Sequence, residues 1–179
     1  VISRSPIRGF RLAVLLAAPL AGLACGYKLI DYSEPIENLG SVAIVTFKNE
    51  SYEPGVEFVV ADALRREFLR RGALALVDES VDADLVLSGE VEPIVTRPRS
   101  FSSITQVLEW DVTLRLAVYA ERPDGTRTRL DEKATSATER YLASADIEAT
   151  RKNRDEAIRT LASGIASHVH DMVYELYLP

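Results

Sequence analysis

Apolar positions along this chain switch between a continuous run, a helical period and a strict alternation. "LAVLLAAPLAGLA", from Leu12 to Ala24, is apolar without a charge. "SVAIVTF" (41–47) is a short β-branched run and predicts a buried strand. "KNESYEPG" (48–55) is rich in turn formers, with Pro54 suited to the first position of a helix. From Val56 the period becomes helical. Val56, Val59, Val60, Ala63, Leu64 and Phe68 fall at i, i+3, i+4, i+7, i+8 and i+12, while Asp62, Arg65, Arg66 and Arg70 take the other side. This predicts an amphipathic helix over 54–71, stopped at Gly72, with its late arginines favourably placed against the helix dipole. "ALALVD" (73–78) predicts a short strand and "DLVLSGEVEPIVTRP" (84–98) a longer one, bulged near Gly89.

The clearest alternation lies in "SITQVLEWDVTLRLAVYAE" (103–121). Trp110, Val112, Leu114, Leu116 and Val118 alternate with Asp111, Thr113, Arg115, Ala117 and Tyr119, the pattern of a strand with one face in the core. "RPDGT" (122–126) is a tight turn, and the polar, Thr-rich "RTRLDEKATSATERYL" (127–142) follows as the antiparallel partner. A last helix starts at 148 or 153 and runs to 177, with Ile158, Leu161, Ile165, Val169, Met172, Val173 and Leu176 as its apolar stripe. Asn153 and Glu156 form a capping box if it starts at the later position. The element order predicts an α+β two-layer sandwich, with two helices packed on one face of a mostly antiparallel sheet of about four strands. The other sheet face is partly polar.

Residues 1–11 carry Arg4, Arg8 and Arg11 and no acid, and the apolar run of thirteen residues follows. A basic start, a short apolar stretch and small residues at its end describe a signal peptide over 1–24. Crossing a hydrocarbon core of roughly 30 Å takes about 20 residues, so a transmembrane anchor is the weaker reading. The chain's one cysteine, Cys25, comes next. Gly22-Leu23-Ala24 suits cleavage and approximates the lipobox of bacterial lipoproteins, with Gly22 where leucine is usual. An unpaired thiol is a liability in an oxidising compartment, and acylation converts it to a thioether. Cys25 is therefore read as the lipid-attachment site, 25–38 as a lipidated tether, and 39–179 as a single α+β domain.

Charge narrows the classes of partner. The whole chain has 21 basic and 27 acidic residues; without the three arginines of 1–24 the balance is 18 to 27, a net charge of −9. So acidic a chain has no electrostatic footprint for nucleic acid, and it leaves membrane attachment to the lipid. Nucleophile-elbow, Walker and zinc-protease patterns are absent from the sequence. His168 and His170 lie two apart on a helix and diverge by about 200°, so they cannot share a metal. His168, near the apolar stripe, is expected to be packed or to serve as a cap. Glu90 with Glu92, and Asp82 with Asp84, read as solvated charge, and "NES" (49–51) as turn chemistry. No catalytic residue, metal or cofactor is expected, and the chain is not read as an enzyme.

Several segments resemble one family in order. "CGYKL" (25–29) resembles the start of mature LptE, the lipopolysaccharide-assembly lipoprotein of the Gram-negative outer membrane. "SVAIVTFKNES" (41–51) resembles its first strand and loop, "EPGVEFVVADALRREFLRRG" (53–72) its first helix and "ADLVLSGEV" (83–91) its next long strand. "YLASADIEATRKNRDEAIRTLASGIASHVHDMV" (141–173) resembles its closing segment. The resemblance implies a protein lipid-anchored on the periplasmic side of the outer membrane. It would sit in the lumen of the LptD β-barrel as plug and folding partner, and contact lipopolysaccharide. "TRPRSF" (96–101), read as a loop joining two long strands, offers Arg97 and Arg99 beside Phe101 to that ligand; Arg127 and Arg129 are a second pair. "VAIVTFKNES" also resembles periplasmic lipoproteins of another kind, which would make the chain a regulator of a cell-wall synthase or part of a secretion assembly. Several acyl chains, at roughly 0.8 kcal/mol per buried methylene, hold a protein on a membrane permanently. Cys25→Ser is therefore expected to leave an uncleaved or soluble protein, whereas wild type fractionates with membranes. Mature wild-type protein in the soluble periplasmic fraction, with no lipid mass on its N-terminal peptide, would contradict this.

Overall fold

The strand–helix–strand order at the front of the domain sets a parallel pairing, because a helical crossover returns the chain to its starting direction. The computed structural model describes residues 39–78, 80–103 and 106–177. The signal peptide, Cys25 and the tether lie outside the described residues. Strand β1 (Ser41–Ile44) and the short β2 (Lys48–Asn49) lead into helix α1 (Val56–Arg71), and β3 (Ala75–Val77) returns parallel to β1 with Ser41 opposite Ala75. β4 (Leu85–Val91) lies parallel to β1 on its other side and to β2. Thereafter the chain meanders through β5 (Val95–Phe101), β6 (Val107–Glu121), β7 (Arg127–Arg129) and β8 (Ser136–Leu142), and ends in α2 (Ile147–Tyr177).

The sheet is mixed and eight-stranded, not a mostly antiparallel one of about four strands. Its order is β3-β1-β4-β6-β5, with β2 against β4 and both β7 and β8 against β6. Two causes account for the difference. The α1 crossover makes the β1 pairings parallel. The two long strands expected at 84–98 and 127–142 are each interrupted, at Glu92–Ile94 and at Leu130–Thr135. β4 and β5 both run antiparallel to β6, as do β7 and β8, so each pair behaves as one broken strand.

The β4–β6 register runs unbroken from Val86 to Val91, so Gly89 marks no bulge. Its role is close approach. A methyl group there would lie 2.3 Å from the Ala117 carbonyl oxygen and 2.6 Å from Cε1 of Phe47. The register shifts occur instead in β5, between Pro98 and Phe101.

Both helices cover one face of the sheet and pack against each other. Val112, Leu114, Leu116, Val118 and Ala120 of β6 share one core with Leu85, Leu87 and Val91 of β4, with Val60, Leu64 and Phe68 of α1, and with Leu161, Ile165 and Val169 of α2. α1 closes on Gly72, whose backbone has φ 74° and whose N–H donates to the Phe68 carbonyl at 3.0 Å. That left-handed conformation suits glycine and ends the helix where expected. α2 begins at Ile147, where the Asp146 carboxylate accepts the Glu148 N–H at 2.9 Å. The Asn153–Glu156 box therefore does not form. Asn153 sits inside the helix, and its amide donates to the Leu142 carbonyl at 3.0 Å.

His168, expected to be packed or to serve as a cap, is exposed, and it is His170 that is buried, 2% exposed. Of the predicted α2 stripe, Ile158, Leu161, Ile165, Val169 and Val173 are buried, while Leu176 at its end is exposed. Ala157, Ala162 and Ala166 also face the core and shift the seam toward His170 and Tyr174. His170 meets the edge of Phe68 at 4.9 Å between ring centroids. Around it the helices share a charged knot. Arg71 donates to Glu67 at 2.9 Å and to the Ser167 hydroxyl at 3.0 Å, and lies 3.2 Å from Asp171. Burial alone would raise the Glu67 carboxyl, but hydrogen bonds from Arg70 and Arg71 hold it below its ordinary value.

Two outcomes follow from this packing. Gly89→Ala forces a methyl against a backbone oxygen that cannot swing away, and is expected to cost about 3 kcal/mol, the upper end of overpacking effects. A thermal melt unchanged from wild type would show that the Ala117 backbone and the Phe47 ring both give way, against this reading of Gly89. Burial, and after it Arg71, hold the His170 imidazole below its ordinary pKa of 6.5, against the pull of Asp171 and Glu67. The unfolded chain thus takes up this proton first. The contribution of neutral His170 is complete above pH 6.5 and is lost as pH falls through the lower folded value. Urea melts between pH 7 and 5 should show this acid-side decline in wild type and a flatter profile in His170→Gln.

Candidate functional site

Because side chains alternate along a strand, burial of the even residues of β6 turns the odd ones out on the far side of the sheet. Glu109, Asp111, Thr113, Arg115, Tyr119 and Glu121 line this open face, partly exposed. The flanking strands add to it in register, since directly opposed residues share a face. Arg97 of β5 and Arg140 of β8 stand on either side of Asp111. Val95 and Thr138 flank Thr113, whose hydroxyl lies 2.7 Å from that of Thr138. Arg99 donates to Asp111 at 3.0 Å, and Arg140 lies 3.6 Å from Glu109 and 3.9 Å from Asp111. Ser100 donates to Glu109 at 2.9 Å. Two guanidiniums, of Arg99 and Arg140, thus contact two carboxylates on one end of the face, and Arg97 stands opposite Asp111 in register.

The same end carries apolar surface. Phe101 pairs with Val107 and Leu142 with Glu109, and they are 52% and 60% exposed. A row of arginines therefore runs into two exposed apolar side chains at the tip of the β5–β6 pair. Guanidinium forks match phosphate and carboxylate geometry, and the tip offers greasy contact beside them.

The sequence-predicted arginines are only partly brought together. Arg97 and Arg99 belong to an edge strand, not a loop. β-pairing of 95–101 with β6 was hidden by Pro98, which an edge strand tolerates because its nitrogen faces away from the partner. Arg127 and Arg129 lie on the same face at the far end of β6, opposite Glu121 and Tyr119. Arg127 stacks over the Tyr119 ring at 4.0 Å. Eight residues of strand separate Asp111 from Tyr119, about 27 Å at 3.4 Å per residue, so the two pairs do not form one site. Arg140 was missed, as was Arg115, which lies 3.7 Å from Glu92. The alternation of β6 contained the signal for Arg115; Arg140 needed the β6–β8 register.

Of the carboxylates read as solvated charge, Asp84 instead ties down backbone. Asp84 accepts the Ser41 hydroxyl at 2.9 Å and the Gly40 and Ser41 N–H groups at 3.0 Å each, which lowers its carboxyl pKa, the Ser41 hydroxyl most of all. Asn49 accepts the Ser51 N–H at 2.9 Å, the turn expected of "NES". Among the described residues, no group of three or more His, Cys, Asp or Glu side chains is arranged to hold a metal ion.

The architecture is that of a two-layer α+β sandwich with one covered and one charged open face. Residues 39–173 match the profile of the LptE lipopolysaccharide-assembly family, and the chain belongs to that family. Its fold is shared with solved structures of low sequence identity. Rare lipoprotein B from Shewanella oneidensis is 13% identical with a TM-score of 0.51, over 73% of this chain and 95% of that one. An uncharacterized lipoprotein B from Nitrosomonas europaea is 14% identical with a TM-score of 0.54, over 84% and 91%. No curated protein sequence matches.

Proposed function

We propose that this chain is an outer-membrane lipoprotein, anchored through Cys25 on the periplasmic side, that plugs the LptD β-barrel and contacts lipopolysaccharide on its way to the cell surface. Membership of a lipopolysaccharide-assembly family supports this reading. The observation that carries it is the end of the open face where Arg99 and Arg140 meet Asp111 and Arg97 stands opposite it in register, next to exposed Phe101 and Leu142. Lipopolysaccharide combines phosphates with acyl chains, and this surface offers partners for both. The Arg99–Asp111 and Arg140–Glu109 pairs are half exposed, and such pairs are weak enough for a phosphate to displace a carboxylate. A polar sheet face also suits the polar interior of a large barrel. Among the described residues no helix is long and apolar enough to cross a membrane.

Two measurements test the two halves of the proposal. Co-purification with LptD tests the plug; its absence from a stable complex with wild type would remove that half. For the ligand, Arg97→Glu with Arg99→Glu should weaken lipopolysaccharide binding by about tenfold or more at low salt, while folding and barrel association are retained. The gap should narrow at high salt, where charges are screened within about 3–10 Å. The same reversal at Arg127 and Arg129, about 27 Å away, should have the smaller effect. Equal affinities of wild type and the Arg97/Arg99 variant at low salt would take this end of the face out of the ligand site.

A further inference from the structure

A sheet that does not close on itself leaves edges, and natural proteins blunt them with prolines, bulges, short strands or covering elements. The edges of this sheet are treated unequally. β3 and β7 are three residues long. β5 is longer, but it carries Pro98 and a break in register. β8 is seven residues long, holds no proline, and pairs with β6 through seven consecutive residues without a shift. Among the described residues no strand pairs with its outer side.

The pairing pattern shows which backbone groups face outward. Ala143 donates to Leu108 and Leu116 to Thr135, so hydrogen bonds to β6 fall at odd-numbered residues of this segment. By the antiparallel rule, the N–H and C=O of Thr138, Arg140 and Leu142 point away from β6. Two of these groups are met by side chains of the same chain. The Arg140 N–H donates to the Glu139 carboxylate at 3.1 Å, and the Leu142 carbonyl accepts from Asn153 at 3.0 Å. Beside this edge runs a groove whose other wall is a stripe of α2: Asn153, Glu156, Ala157 and Thr160. A free strand edge next to a helix is the geometry of recognition by strand addition.

We infer that β8 is a strand-addition site, and that its occupant is an extended segment of the barrel partner; this rests on the plug reading above. The charges around the edge describe that segment. Arg140 faces the open side and favours an acidic residue opposite it. Glu139, opposite Val112 on the helix side, and Glu156 across the groove favour a basic one at the neighbouring position. Ala157 leaves room for a small side chain between strand and helix. A second copy of this chain fits poorly. Antiparallel self-pairing centred on Arg140 sets two guanidiniums opposite each other, and the adjacent register sets Glu139 against Glu139, both unfavourable. On docking, a carbonyl of the incoming strand replaces the Glu139 carboxylate on the Arg140 N–H. That frees Glu139 for the incoming base, while Asn153 on Leu142 marks the end of the groove.

The test uses the full protein co-purified with LptD, and the protein alone. In the free protein, amide hydrogen exchange should be slow at Ala137, Glu139 and Tyr141 and fast at Thr138 and Arg140. In the complex, Thr138 and Arg140 should slow by about tenfold or more, as expected of amides drawn into a sheet. Thr138→Pro removes an outward N–H and the hydroxyl that meets Thr113 but no N–H of the β6–β8 ladder, and retained barrel should fall by about tenfold; Thr138→Val, which removes the hydroxyl alone, should keep the barrel. Should the proline variant misfold, the exchange comparison in wild type decides alone. A complex that forms with unchanged exchange at Thr138 and Arg140 overturns strand addition and leaves the plug standing. No complex at all overturns the plug and this occupant with it. Protection already present in the free monomer, or appearing only on self-association, assigns the edge to the chain's own preceding segment or to a second copy, and overturns the proposal.

Discussion

The rest of the structure depends on the alternation of β6. Its fifteen residues pair with β4 and β5 on one side and with β7 and β8 on the other, so one segment sets the width of most of the sheet. Val112 through Ala120, at every second position, seat both helices; the residues between them make the open face. A slip of one residue would exchange the two faces. It would carry Asp111 and Arg115 beneath the helices, and a buried, unpaired charge costs far more than any gain from re-pairing the backbone. The register of the fold and the composition of the candidate site are therefore one constraint.

The helices are held to this platform in two ways. Apolar residues on α1 and α2 fill the covered face, and the knot of Glu67, Arg71, Ser167 and Asp171 fixes one helix against the other at its margin. Breaking one member of such a knot leaves its partners poorly solvated, so each is costly to remove alone. His170 lies at its inner border, where the apolar seam meets the charges. Gly89 sets the opposite limit, by letting Phe47 close over β4 where any side chain would hold it off.

Site and edge meet in β8. Arg140 points its guanidinium at Asp111 and Glu109 on the open face, while its backbone N–H points outward from the sheet. One residue thus borders both the cluster proposed to meet ligand and the edge proposed to take a partner strand. The clustering is local. A chain this acidic gains no long-range attraction for anions, so the phosphate recognition proposed above would rest on the local cluster of Arg99 and Arg140, with Arg97 opposite Asp111.

Sequence alone determined what depends on local periodicity. The α1 stripe and its stop at Gly72, the alternation of β6, the Asn49 turn and the two-layer α+β class were all legible, because the 3.6- and 2-residue periods record which side of an element is buried. The family, too, was legible from the order of its segments. Tertiary structure decided what depends on contacts between distant residues. The parallel placement of β1, β3 and β4, the interruption of the long strands, the burial of His170 in place of His168, and the reason for Gly89 all lie beyond local pattern. So does the company of Arg97, which meets Arg140 only through Asp111, 14 residues from one and 29 from the other. Periodicity says which face a side chain is on; only the register between strands says which side chains stand next to it.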